Sequence, residues 1–169
     1  MWQIVGYKNS GKTTMICSII PQLKAKGYTV AVIKHDHHNF DMDHPHTDTW
    51  QHKEAGAAAV AITNKSRTAR IEEKETSLWQ LVKDFAGYDY ILVEGFKEEL
   101  YPKIVLIRHP EDLKLLSLST ISAVSLWQEA ADLESLPDSP SIPRFGIDET
   151  AAIVEYMCQQ RYSFPVFNM

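Results

Sequence analysis

Apolar and polar positions along this chain fall into blocks with two periods, one near two residues and one near 3.6. Trp2-Gln3-Ile4-Val5 is a short strand-like run. Beyond it Met15, Ile16, Ile19, Ile20 and Leu23 recur at helical spacing up to Gly27, a natural stop. Thr29-Val30-Ala31-Val32-Ile33 reads as a second buried strand, so strand, helix and strand make a βαβ unit and therefore a parallel sheet. Residues 34 to 47 carry no period and form a polar loop at the carboxyl end of a strand, where open α/β sheets hold their ligands. A short helix runs through Glu54. Thr47 or Asp48 caps it, Asp48 and Gln51 are spaced as a capping pair, and Gly56 ends it. Ala57 to Thr63 contains a third strand, Asn64-Lys65-Ser66 a turn, and Arg67 to Ile71 alternates, which predicts a hairpin with one antiparallel strand.

The second half continues in the same manner. Ser77 to Phe85 is helical, with Leu78, Leu81, Val82 and Phe85 on one face. Tyr90-Ile91-Leu92-Val93, Ile104 to Ile107 and Ile121 to Val124 are strands, Phe145 ends a last short one, and Glu149 to Gln159 is a closing helix. Three prolines and three serines within 135–143 mark a connector too short to divide domains. The tail Phe164-Pro165-Val166-Phe167 is too apolar for water and is expected to pack on the domain or on a partner chain.

Composition narrows the class. At 169 residues and 44% hydrophobic, the chain is expected to be one globular domain with a substantial core. A formal charge of −5 argues against a nucleic-acid binder, which would carry a basic face. Cys17 and Cys158 belong to no C-x-x-C pair and read as buried, reduced thiols. The amino terminus runs directly into a core strand, so no signal peptide is expected, and no apolar run approaches the ~20 residues that span a bilayer. The expectation is a soluble cytoplasmic protein.

The strongest chemical signal lies between the first strand and the first helix. Gly6-Tyr7-Lys8-Asn9-Ser10-Gly11-Lys12-Thr13-Thr14 fits G-x-x-x-x-G-K-[ST], the loop that cradles the phosphates of nucleoside triphosphates. Glycines let the backbone curl so that several N–H groups converge on one anion, and the positive end of the following helix faces the same point. Lys12 adds charge for the β- and γ-phosphates, and the Thr13 hydroxyl is a Mg²⁺ ligand. The order strand, loop, helix predicts a three-layer α/β phosphate-loop fold, with a mostly parallel sheet and one antiparallel hairpin strand. Glu94, directly after four apolar strand residues, stands at the top of the sheet. There it would hold the Mg²⁺ shell through water or orient an attacking water.

Six of the seven histidines lie between His35 and His52, interleaved with Asp36, Asp41, Asp43 and Asp48. Three readings stand side by side. The segment is a transition-metal site, since imidazole and carboxylate suit Zn²⁺ and its neighbours. It is a pocket for an anionic ligand or the nucleotide, with Lys34 and Lys53 supplying charge and one aspartate approaching Mg²⁺. Or it is a solvated, mobile polar loop. Asn64-Lys65-Ser66-Arg67 resembles the N-K-x-D signature that reads guanine but lacks the aspartate and precedes Glu94, so it reads as a hairpin turn. These residues do not specify a base.

Assembled, the motifs resemble those of the molybdopterin-guanine dinucleotide biosynthesis protein B family. The residues that carry the resemblance are Val5 to Thr14, Ile33-Lys34-His35-Asp36-His37-His38, Asp48-Thr49-Trp50 with Glu54-Ala55-Gly56-Ala57, and Leu92-Val93-Glu94-Gly95-Phe96-Lys97. They cover the first two-thirds of the chain; beyond residue 110 the likeness is architectural. The resemblance implies a homodimer that binds GTP and Mg²⁺, hydrolyses GTP feebly, and assists the guanylyltransferase that joins GMP to molybdopterin during molybdoenzyme maturation. Molybdopterin itself is then an expected ligand, and the histidine loop would serve the cofactor or nucleotide side. Combined with the motifs, this makes Lys12, Glu94 and Asp48 the candidate catalytic residues. Thr13, Glu94 and Asp36 become the candidate Mg²⁺ ligands. Gly6 to Thr14 with Lys34, His35, His37 and His38 become the candidate ligand-binding set. The density of histidine and aspartate in Asp41-Met42-Asp43-His44-Pro45-His46 departs from the family pattern.

Two other functions compete. A small-molecule kinase would need a lid bearing several arginines, and no two of Arg67, Arg70, Arg108, Arg144 and Arg161 fall on such a segment. A non-catalytic adapter would use nucleotide only to stabilise one conformation.

Overall fold

The computed structural model describes residues 1–36, 40–131 and 142–160. In chain order the strands are β1 (Trp2–Val5), β2 (Val30–Lys34), β3 (Ala59–Thr63), β4 (Thr68–Glu72), β5 (Tyr90–Glu94), β6 (Lys103–Ile107), β7 (Ile121–Leu126) and β8 (Arg144–Gly146). The helices are α1 (Lys12–Ala25), α2 (Asp48–Glu54), α3 (Leu78–Asp84), α4 (Gln128–Ala131) and α5 (Thr150–Gln159), with a 3-10 helix over Pro110–Ser117. The chain divides into two compact units, Met1–His35 with Val82–Met169, and Asp36–Leu81.

The first unit is built on a six-stranded sheet in the order β2-β5-β1-β6-β7-β8, and every neighbouring pair is parallel. Continuous apolar runs such as Tyr90–Val93 form such strands because helices cover both faces. The period of two assigns each side chain to a face. Trp2, Ile4, Leu92, Ile104 and Leu106 share one core with Met15, Ile16, Ile19 and Leu23 of α1 and Ile153, Val154 and Met157 of α5. Val5, Val105, Ile107 and Val124 share the other core with Leu115 of the 3-10 helix and Ala130 of α4. Each fully buried leucine or isoleucine contributes about 1.5–3 kcal/mol relative to exposure. Central β1 lies between β5 and β6. The chain leaves β1 toward β2 on one side and passes from β5 to β6 on the other, so β1 ends at a topological switch point.

The second unit holds α2 and the antiparallel pair β3–β4, in register from Ala59 opposite Glu72 to Thr63 opposite Thr68. The hairpin is a separate two-stranded sheet rather than a strand of the parallel one. Asn64 Oδ1 accepts from the Ser66 and Arg67 amides, which fixes the expected turn.

Several local expectations change. The cap of α2 is Thr47, whose Oγ1 accepts from Trp50 N at 3.4 Å, so Asp48 and Gln51 are not the capping pair. Cys17 is exposed rather than buried, because it lies on the outer side of α1; both cysteines are free. Lys34 closes β2 instead of opening the loop. The 3-10 helix and α4 have no counterpart in the periodicity. Most of the 135–143 connector and the 164–167 tail lie outside the described residues. Among the described residues, no helix is long and apolar enough to cross a membrane.

Candidate functional site

Between Val5 at the end of β1 and Lys12 at the start of α1, six residues must reverse the chain and aim it into a helix. Asn9 (φ 62°) and Gly11 (φ 94°) both take the left-handed conformation to do so. Gly11 is the N-cap of α1 and supplies no side-chain cap, so the first turn of the helix presents its amides and the positive end of its dipole without one. Gly6 is required sterically: a Cβ there would lie 2.3 Å from Ser10 Oγ. That hydroxyl is buried and has no hydrogen-bond partner.

Lys12 folds back over its own loop, its ammonium donating to the carbonyls of Gly6 (3.0 Å) and Tyr7 (2.7 Å). Desolvation lowers its pKa below the ordinary lysine value, Glu94 opposes that shift, and Lys34 adds to it. Thr13 Oγ1 donates to both carboxylate oxygens of Glu94, at 3.0 and 3.1 Å. Lys34 Nζ stands 3.7 Å from Glu94 Oε1.

Sheet register produces this meeting. Ile4 pairs with Glu94 across β1–β5, and Lys34 pairs with Glu94 across β2–β5. The turn after Glu94 is then pinned. Gly95 N donates to Ile4 O at 3.1 Å, and the buried Gln3 side chain donates to Phe96 O at 2.8 Å. Gly95 and Phe96 both have positive φ. His35 N donates to Glu94 O at 2.9 Å, and its ring lies 4.4 Å from that of Phe96.

Two residues not singled out from the sequence complete the loop's surroundings. Trp127, just past β7, donates through Nε1 to Ser10 O at 2.9 Å, and its ring faces Gly11, where a Cβ would stand 3.1 Å from Cζ2. Arg108, just past β6, donates to Asn9 O at 2.9 Å and places its guanidinium 4.5 Å from the Trp127 ring centroid. Asp112 holds the Arg108 backbone, accepting from the Arg108 amide at 2.7 Å and the His109 amide at 2.9 Å. The signal that would have found both is the one that found Glu94: a polar or aromatic residue at the carboxyl end of a parallel strand.

Of the candidates, the loop Gly6–Thr14, Lys34, His35 and Glu94 belong to the first unit, and Lys12, Thr13, Lys34 and Glu94 are joined by the contacts above. Tyr7 and Lys8 are exposed, and Thr14 O accepts from Ser18 Oγ. Asp36 and Asp48 belong to the second unit. His37 and His38 lie outside the described residues. Among the described residues, no group of three or more His, Cys, Asp or Glu is placed to hold a metal.

Sheet order and loop geometry together define an α/β protein of the phosphate-loop class. A family model described as molybdopterin guanine dinucleotide synthesis protein B (MobB) matches residues 1–127, and the chain belongs to that family. A Haemophilus influenzae molybdopterin-guanine dinucleotide biosynthesis adapter protein is 39% identical over 145 residues, 79% of this chain and 82% of the relative. The Escherichia coli protein of the same description is 39% identical over 118 residues, 63% and 67% of the two chains. The crystal structure of Bacillus subtilis MobB superposes with a TM-score of 0.74 at 28% identity, covering 94% of this chain and 96% of that one.

Proposed function

We propose that this chain serves molybdopterin-guanine dinucleotide biosynthesis as an adapter that binds GTP with Mg²⁺ at the Gly6–Thr14 loop and hydrolyses it slowly. In that role it acts as a homodimer beside the guanylyltransferase that attaches GMP to molybdopterin. The adapter role rests on the relatives, which are named for it. The nucleotide reading rests on one observation above others: the Thr13 hydroxyl and the Glu94 carboxylate meet at 3.0–3.1 Å beside an uncapped helix start. Hard oxygen donors of this kind suit Mg²⁺, and the unpartnered Ser10 hydroxyl under a glycine-lined cradle suits an anion. Bound there, Mg²⁺ supplies charge that neutralises the phosphate oxygens. Lys12 would turn from its two carbonyls to the phosphates, and Glu94 would hold a water against the metal or toward the γ-phosphate. Guanine follows from the relatives' description and not from a contact. A kinase reading gains nothing, because Arg108, the arginine beside the loop, is engaged with Asn9 O and Trp127.

Calorimetric titration of GTP and ATP with Mg²⁺ tests the proposal. Lys12→Ala should weaken triphosphate binding by at least roughly tenfold, about 1.4 kcal/mol. Unchanged affinity would overturn it.

A further inference from the structure

Strands β5 and β6 lie parallel to β1 on either side of it, so residues 95–102 must carry the chain from the carboxyl end of the sheet back to its amino end. This stretch contains no helix, and its carbonyls need donors from elsewhere. Two side chains in register on β1 and β6 supply them, Gln3 and Lys103, and both are fully buried. Lys103 holds the far end of the turn, donating to Glu99 O at 2.6 Å. Gln3 holds the near end: its Nε2 donates to Gly95 O at 3.3 Å and to Phe96 O at 2.8 Å. Glu99 N closes the turn onto the same Phe96 carbonyl at 2.9 Å.

The near end bears directly on Glu94. Three successive carbonyls at the end of β5 are held, Glu94 O by the His35 amide and the next two by the one Gln3 side chain. Gly95 takes the left-handed conformation freely, but Phe96 at φ 52° does so at a cost that its surroundings must offset. The Gln3 amide and the His35 ring, 4.4 Å from the Phe96 ring, are the groups that meet it. A methionine at position 3 would fill similar space without burying a polar group, whereas the amide leaves its Oε1 buried without a hydrogen-bond partner. What the amide adds over an apolar residue is the direction in which the chain leaves Glu94. We propose that Gln3 is a positioning residue, which fixes the Gly95–Phe96 turn and thereby keeps the Glu94 carboxylate aimed at the Thr13 hydroxyl. The consequence for hydrolysis rests on the function proposed above; the grip on the turn stands without it.

The test removes the donors and keeps the volume, with Gln3→Met in the full chain. Hydrogen–deuterium exchange of the nucleotide-free protein should quicken at least roughly tenfold over residues 95–99 while β1 and β5 stay protected. With GTP and Mg²⁺, single-turnover hydrolysis should fall by roughly tenfold or more and GTP affinity should stay within about twofold, the pattern of a misaimed reacting group. In a Phe96→Gly background, where the left-handed φ carries no strain, Gln3→Met should slow hydrolysis by no more than about threefold. Lys103→Met, at the far end of the turn, controls for lost stability and should leave the rate within about twofold. Exchange that rises across the whole sheet, or not at all, would overturn the grip and leave Gln3 a core residue. Faster exchange at the turn with hydrolysis unchanged would overturn the positioning of Glu94. So would an equal loss of rate in Lys103→Met. Failure of the unaltered chain to bind or hydrolyse GTP would instead refute the function proposed above, and the exchange measurement would then decide the grip by itself.

Discussion

Replacing Trp127 by Phe separates holding the phosphate loop in shape from merely filling space. The substitution keeps an apolar ring facing Gly11 but deletes the Nε1–H that Ser10 O accepts at 2.9 Å. Losing a partly buried hydrogen bond of this kind costs about 0.5–1.5 kcal/mol net, and more if the carbonyl stays dry. Phe is also a poorer platform than Trp for Arg108, whose guanidinium lies 4.5 Å from the ring, a contact worth about 0.5–1 kcal/mol at an exposed site. The total is about 1–2 kcal/mol. If the loop bears it all, bound phosphate must restore the lost order, and GTP affinity should fall by roughly 5- to 30-fold. Calorimetry gives the affinity, and urea denaturation of the free protein gives any part that appears as global stability. A stability loss of the full amount with GTP affinity unchanged would refute the reasoning, because the indole would then be packing and nothing more.

Other substitutions probe neighbouring parts of the site. Glu94→Gln should reduce single-turnover GTP hydrolysis far more than GTP affinity; equal turnover in the two proteins would reduce Glu94 to scaffold. Gly6→Ala forces a Cβ to within 2.3 Å of Ser10 Oγ, and the overpacking should cost about 1–3 kcal/mol, read as a lower denaturation midpoint together with weaker nucleotide binding. Combining it with Ser10→Ala removes that one contact and should recover part of the loss, though a 3.1 Å approach to Cβ persists. Away from the site, buried Lys103 donates to Glu99 O, Ser119 O and Thr120 Oγ1. Lys103→Met would orphan those acceptors and should destabilise the fold by about 1–3 kcal/mol in a chemical melt, with GTP affinity unaffected.

Elements whose information is local were readable from sequence. The runs Trp2–Val5 and Tyr90–Val93 and the spacing of Met15 through Leu23 needed only a period. The phosphate loop needed only residue types in order, and Glu94 needed only its place after an apolar run. Features set by tertiary proximity were not readable. Arg108 and Trp127 reach Asn9 and Ser10 from 99 and 117 residues away. They do so only because β6 and β7 follow β1 in the sheet order, which no periodicity reports. The 3-10 helix escaped notice because Leu113, Leu115 and Leu116 do not follow a 3.6-residue repeat, and its start is fixed by Asp112 bonding back to backbone amides. Cys17 shows the limit of residue type as a guide to burial: its neighbour Ile16 is buried, and a rotation of about 100° per residue carries the thiol into water.

The bonds from the Lys12 ammonium to the Gly6 and Tyr7 carbonyls make the lysine a placeholder in its own cradle. On the nucleotide reading proposed above, an arriving phosphate would exchange with those carbonyls instead of meeting a bare cation, so the affinity gained would be a difference between two sets of contacts. A loop that already keeps its curve in this way has little ordering left to do when ligand arrives. Capture should therefore be quick, and the strength of holding should reside in how slowly the anion departs.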